Sequence, residues 1–188
     1  INKDQANTDG NGDIGDFSNN TLEDGAYMLY AKNNSIENLT LQAQYVKADS
    51  SNNTQDRNAI YVQADYTVSG HTISAQYLSS EKNNDDAKLY GLKSTGPLGI
   101  GKLGYLVAYN STTTDKDSYL GEGRGTDDLP FTALPVHGGG VPARGQTDTI
   151  VGAFVIPTPV ATVIPYAGKS FNNEPGLGDV VGMGVMAI

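Results

Sequence analysis

The sequence contains no cysteine and no tryptophan, and it is poor in basic residues. The absence of cysteine excludes disulfide bonds, zinc–thiolate sites and thiol catalysis. With 12 basic and 21 acidic residues among 188, the formal charge is −9. This balance argues against a phosphate-neutralising surface, and therefore against nucleic acid as a partner.

The chain also lacks an apolar run of the length that a membrane helix needs, about 20 residues. Its most hydrophobic stretch, 152–168, is interrupted by Pro157, Pro159 and Pro165. The opening run, 1–16, is polar and shows no signal-peptide pattern. We therefore expect any membrane crossing to use strands. We also expect that a signal was removed or that the chain starts inside a longer protein.

Glycine, tyrosine and small polar residues are plentiful, and the dominant pattern is a hydrophobic period of two, which is typical of strands. In 39–47 the two faces are Leu39, Leu41, Ala43 and Tyr45 against Thr40, Gln42 and Gln44. The pattern predicts about nine strands, near 26–33, 39–47, 59–68, 72–79, 87–95, 102–110, 149–157, 160–168 and 179–188.

The predicted connections alternate between short and long. The short ones are 34–38, 69–71, 94–101 and 158–159, and the long ones are 48–58, 80–86, 111–148 and 169–178. All short connections then lie at one end of an antiparallel meander, as the periplasmic turns of outer-membrane barrels do. The predicted fold is all-β, one unit over 1–188 that forms part of a transmembrane β-barrel.

Aromatic residues at the strand ends agree with this fold. Tyr45, Tyr77 and Tyr109 lie on apolar faces next to long loops, where an interfacial girdle belongs, although tyrosine is also a common strand residue. The opposite end offers only Tyr105, roughly 13 Å along the strand from Tyr109. Pro165 cannot donate to a ladder and is expected at a bulge or a strand end.

Two segments carry a family resemblance. NNSIENLTLQAQY at 33–45 resembles a turn and strand of the epsilonproteobacterial major outer-membrane porins, which are related to the OprD-type channels. GKLGYLVAYN, a glycine-rich loop with LPFTALPVHGGG, and TDTIVGAF are similar to the second half of those porins. The resemblance implies a barrel of about sixteen to eighteen strands, usually trimeric, that passes ions and small solutes. Nine strands and a non-aromatic end at Ile188 then suggest a segment of a longer protein.

The loop at 111–148 is the main candidate site, because barrels of this size fold a loop into the lumen to narrow the pore. Its candidate constriction residues are Asp115, Asp117, Glu122, Arg124, Asp127, Asp128 and Arg144. The alternative is a solvated external loop. Asp65 lies on a polar strand face and is expected to point into the channel, where Lys88 is a possible partner if the register allows.

A possible calcium site lies at Asp9, Asn11 and Asp13, which place oxygen ligands at alternate positions. Ile14 stands where calcium loops have glycine, so an ordinary acidic segment remains the alternative. The two histidines, His71 and His137, accompany no catalytic motif. We predict no enzyme and no cofactor beyond this possible calcium.

The predicted function is an outer-membrane porin for passive diffusion of ions and small hydrophilic solutes. The alternative is a soluble or surface-anchored β-sandwich, an adhesin or carbohydrate-binding module, with or without calcium. A sandwich would bury its apolar faces in a core. A porin would expose Leu41, Val62 and Val107 to lipid.

Overall fold

The computed structural model describes residues 25–49, 57–82, 85–114, 131–132, 146–173 and 178–188. Its elements are nine strands: β1 Gly25–Ile36, β2 Leu39–Asp49, β3 Arg57–Val68, β4 His71–Lys82, β5 Asp85–Pro97, β6 Gly104–Thr114, β7 Thr147–Pro157, β8 Thr162–Asn172 and β9 Val180–Ala187. In the described part of the chain, no helix is long and apolar enough to span a membrane.

All nine strands form one antiparallel sheet in sequence order, so the predicted meander is confirmed. The sheet is open, and β1 and β9 are its edges. Most strands are a few residues longer than predicted. β6 continues to Thr114 and β7 begins at Thr147, because the hydroxyl-bearing residues of 111–114 suit a strand. The connection between them is therefore 115–146 rather than 111–148.

Three of the four short connections are turns with left-handed backbone, and the fourth, 158–161, has no residue with positive φ. Ser69 and Gly70, which join β3 to β4, have φ angles of 51° and 81°. Two consecutive residues with positive φ give a hairpin turn whose twist matches that of the flanking strands. Asn38 takes φ 64° in the turn between β1 and β2. These turns place all described short connections at one end of the sheet.

The strands are progressively staggered. One row of paired residues runs from Leu39 through Ile73 to Ala167. Leu39 is the first residue of β2, Ile73 the third of β4 and Ala167 the sixth of β8. From the β1–β2 turn to the β7–β8 turn, each short turn therefore lies more residues away from this row than the one before. This stagger is the shear that accompanies strand tilt in a barrel.

The sheet has two unlike faces. One face carries Leu41, Val62 and Val107, which are 39%, 40% and 48% exposed, and we call it the outer face. The inner face carries buried apolar residues together with many polar residues that are nearly or fully buried, among them Gln63, Gln76, Asn110, Thr149 and Ser170. An apolar face that is exposed and buried polar side chains behind it are both unusual for a soluble domain.

Pro165 lies inside β8, as its fourth residue, so the expectation of a bulge or a strand end is wrong. The β7–β8 pairing passes from Ala153–Tyr166 to Ile156–Val163 in unchanged register. The two intervening pairs, which include Pro165, are missing from that ladder. Proline removes a donor here without inserting a residue, so the strand continues and its pairing is interrupted only locally.

Glycines allow close packing on the inner face of β8. A Cβ at Gly168 would lie 2.7 Å from Val151 Cγ2 and 3.0 Å from the backbone oxygen of Ile150. Gly152 on the neighbouring strand has nothing within 4 Å of its Cβ position. A methyl group added at Gly168 would therefore meet neighbouring atoms, whereas one added at Gly152 would meet none.

We expect Gly168→Ala to destabilise the complete protein by about 1–3 kcal/mol, because the added methyl meets backbone that cannot move aside cheaply. Gly152→Ala is the control and should change stability little. Urea unfolding of the protein refolded in detergent measures both variants. Equal stability of the two would contradict the close packing at Gly168.

Candidate functional site

A row of polar side chains crosses the inner face at right angles to the strands. Consecutive strand pairings place its members directly opposite one another. We call this the amide row, and its members are Gln42, Gln63, Gln76, Gly91, Asn110, Thr149 and Ser170. The Thr149 and Ser170 hydroxyls are hydrogen-bonded at 2.8 Å. The row offers donors and acceptors without net charge.

Asp65 lies on the inner face and is held by its own strand. Tyr61 donates to Gln63 Oε1, and Gln63 Nε2 donates to both Asp65 carboxylate oxygens at 2.9 and 2.8 Å. The register pairs Asp65 with Ser74, and Ser74 with Lys93. Lys88 belongs to the outer face, so its suggested pairing with Asp65 is wrong. The basic residue in the same row as Asp65 is Lys93.

Two of the described residues of the connection 115–146, Phe131 and Thr132, lie against the inner face. Phe131 and Thr132 are 6% and 0% exposed. The Thr132 backbone N–H donates to Asn110 Oδ1 at 2.9 Å, and Lys93 Nζ lies 4.3 Å from the centre of the Phe131 ring. Lys93 and Asn110 both belong to the inner face, on β5 and β6. The connection between β6 and β7 therefore contacts this face of the sheet.

The inner face also has a small apolar cluster towards the long-loop end. Its buried members are Tyr61, Leu78, Ala87 and Leu89, none more than 2% exposed. Tyr61, Leu78 and Leu89 are direct neighbours on β3, β4 and β5. A strand face that only lined water would not bury such residues completely. Part of the inner face is therefore shielded from solvent, and the shielded part lies on β3, β4 and β5.

The outer face carries aromatic residues at both ends, in three pairs of equal spacing. Tyr45 pairs with Ile60, six residues before Tyr66. Tyr90 pairs with Ser111, six residues after Tyr105. Phe171 pairs with Asp148, six residues before Phe154.

Six residues correspond to about 20 Å along a strand, which is of the order of the apolar band between the two aromatic girdles of a barrel, about 25 Å. The girdle at the short-turn end, weak in the sequence, is thus formed by Tyr66, Tyr105 and Phe154. The Tyr105 hydroxyl also contacts Ser94 Oγ at 2.9 Å and His71 Nδ1 at 3.2 Å.

At the long-loop end of β6–β9, the outer face carries side-chain hydrogen bonds and one ion pair. The Tyr109 hydroxyl donates to Asp148 Oδ1 at 2.8 Å, and Asn173 Nδ2 donates to the other carboxylate oxygen. Lys169 Nζ lies 2.9 Å from Asp179 Oδ2. The hydrogen bond from Lys169 lowers the pKa of the Asp179 carboxyl below its usual value, so this carboxyl is ionised at neutral pH.

Several predicted site residues lie outside the described part of the chain. They are Asp115, Asp117, Glu122, Arg124, Asp127, Asp128 and Arg144 in the connection, and Asp9, Asn11 and Asp13 of the possible calcium site. Within the described residues, no group of three or more His, Cys, Asp or Glu side chains is placed to hold a metal ion. Calcium binding near Asp9 stays a prediction.

An exposed apolar face between two aromatic girdles, with a polar face behind it, is the arrangement of a transmembrane β-barrel wall. The family model for Gram-negative porins matches residues 3–126, well over half of the chain. The chain therefore belongs to the Gram-negative porin family, and its location is the bacterial outer membrane. No curated protein and no solved structure matched it. The narrower likeness to epsilonproteobacterial and OprD-type porins stays a prediction.

An arginine introduced on the outer face should have a different effect from one introduced on the inner face. Leu41→Arg or Val62→Arg should destabilise the complete protein by roughly 2–4 kcal/mol if the position lies near the bilayer midplane, because arginine there must leave water. Gln42→Arg, on the other face of the same strand, should mainly change conductance. Folding yield in lipid vesicles and single-channel current measure the two effects. Equal tolerance at Leu41 and Gln42 would contradict a lipid-facing outer face.

Proposed function

We propose that this protein is a passive channel for ions and small hydrophilic solutes and performs no catalysis. The carrying observation is the polar inner face behind an exposed apolar outer face, in a chain of the porin family. A β-sandwich would need a second sheet on the apolar face, and the nine described strands all belong to one sheet. We also propose a homotrimer of barrels with about sixteen to eighteen strands, as the resemblance implies.

The connection 115–146 is proposed to narrow the pore. This is supported by Phe131 and Thr132, which contact the inner face rather than solvent. The anchor combines one backbone hydrogen bond to Asn110 with one cation–π contact to Lys93. A cation–π contact contributes about 0.5–2 kcal/mol, depending on how far it is desolvated. Such a contact is enough to bias a loop between an inward and a free position.

The ring of Phe131 provides a direct test of this anchor. Phe131→Leu keeps an apolar side chain but removes the ring from Lys93, so the loop should leave the wall more often. Larger and noisier single-channel currents in planar bilayers are the expected result. Phe131→Tyr keeps the ring and should behave like the parent. Parent-like currents in the Phe131→Leu channel would contradict an anchored, pore-narrowing loop.

The charge of the loop is proposed to favour cations. The predicted loop 111–148 included Asp148, but that residue lies in β7 on the outer face. The connection 115–146 holds five carboxylates, Asp115, Asp117, Glu122, Asp127 and Asp128, against Lys116, Arg124 and Arg144, so its net charge is −2. Charges inside a pore are screened less than charges on an open surface, so an acidic loop raises the local concentration of cations.

Neutralising two of these acids should lower cation preference. The variant is Asp127→Asn with Asp128→Asn, and reversal potentials across a salt gradient measure its selectivity. The effect should shrink at high salt as the screening length falls. Glu37→Gln, in a short turn at the opposite end, is the control and should leave selectivity unchanged. An anion-selective parent, or an unaltered double variant, would show that the loop does not set the field of the pore.

A further inference from the structure

We propose that the inner face around Gly91 forms a subsite for a neutral solute with adjacent hydroxyl or amide groups, such as a sugar. The subsite consists of Ser74 and Gln76 on β4, Gly91 on β5, Asn110 on β6 and Thr132 of the connection. The proposal rests on the channel function proposed above, since it concerns what the channel holds on its way through.

Gly91 allows two amides to converge. Gln76 and Asn110 lie on either side of it in the amide row. Gln76 Nε2 and Asn110 Nδ2 are each 2.4 Å from the position that a Cβ of residue 91 would occupy, so the two nitrogens lie within about 5 Å of each other. Any side chain larger than hydrogen at this position would displace both amides. Glycine here therefore makes room for polar groups from the neighbouring strands.

Unsatisfied polar atoms concentrate at this place. Six buried side-chain atoms of the described residues have no hydrogen-bond partner, and four of them belong to Gln76, Ser74 and Thr132. Both amide atoms of Gln76 are among the four, although this residue is only 4% exposed. Thr132 reaches the group through its backbone hydrogen bond to Asn110. A buried polar atom without a partner is unfavourable, so these atoms have hydrogen-bonding capacity for a ligand.

The chemistry of these groups selects the ligand class. Gln76 presents a donor and an acceptor side by side, and the Ser74 and Thr132 hydroxyls can act as either. A partner that satisfies them needs neighbouring donors and acceptors of its own, as sugars and primary amides have. Asp65 and Lys93 flank Ser74 in one row and carry opposite charges. Because these charges balance, neither an anion nor a cation is favoured over a neutral solute.

The experiment compares glucose with its charged analogues glucuronate and glucosamine in single-channel recordings of the complete protein. Solute-induced current noise gives the residence time of each. Glucose should stay longer than either analogue in the parent channel. Gln76→Met keeps the side-chain length but removes the donor and acceptor, so it should shorten glucose residence about fivefold, the effect of one hydrogen bond. Ser74→Ala is a second, smaller change with the same expected direction.

Ser79→Ala is the matched control for Ser74→Ala, because Ser79 lies on the same strand but on the outer face. Its channel should hold glucose as the parent does. Equal residence in the Gln76→Met, Ser74→Ala and parent channels would overturn the subsite, as would tighter binding of a charged analogue. A parent protein that opens no channel would overturn the proposed function itself, and with it the subsite.

Discussion

Backbone hydrogen bonding is the constraint on which this structure depends. Lipid offers no partner to an N–H or a carbonyl, so a strand that crosses a bilayer must pair on both sides. Pairing in turn sorts alternate side chains onto opposite faces of one sheet. The exposed apolar face with its aromatic ends and the polar inner face are two results of that single requirement. In this chain the inner face is therefore the one whose side chains can form hydrogen bonds with a solute.

Strand number, strand direction and the division into two faces could be predicted from the sequence, because each follows from a local period of two. Register could not, since it depends on which residues of neighbouring strands meet. Lys88 looked like a possible partner for Asp65, yet the observed pairing places Lys93 in that row. The short-turn girdle was missed for the same reason. Its members Tyr66, Tyr105 and Phe154 become comparable only when neighbouring strands are aligned.

The candidate site was only partly visible in the sequence. Alternation places Gln76 on a polar strand face, but it does not reveal that Gln76 and Asn110 lie on either side of a glycine, or that Lys93 lies below Phe131. Phe131 did offer a signal. It is one of only four phenylalanines, and it stands between a charged stretch and a glycine-rich one. A large apolar residue in such surroundings gains from burial, and in this fold the inner face of β5 and β6 provides it.

The interruption at Pro165 has a consequence for the depth at which the protein lies in the bilayer. The residue pairs missing between β7 and β8 leave backbone groups without a partner in that ladder. Such groups are tolerated where water reaches them and are costly within the hydrocarbon. We therefore expect the level of Pro165 and Phe154 to coincide with the headgroup layer at the short-turn end of the sheet. The hydrocarbon should then begin on the long-loop side of Pro165.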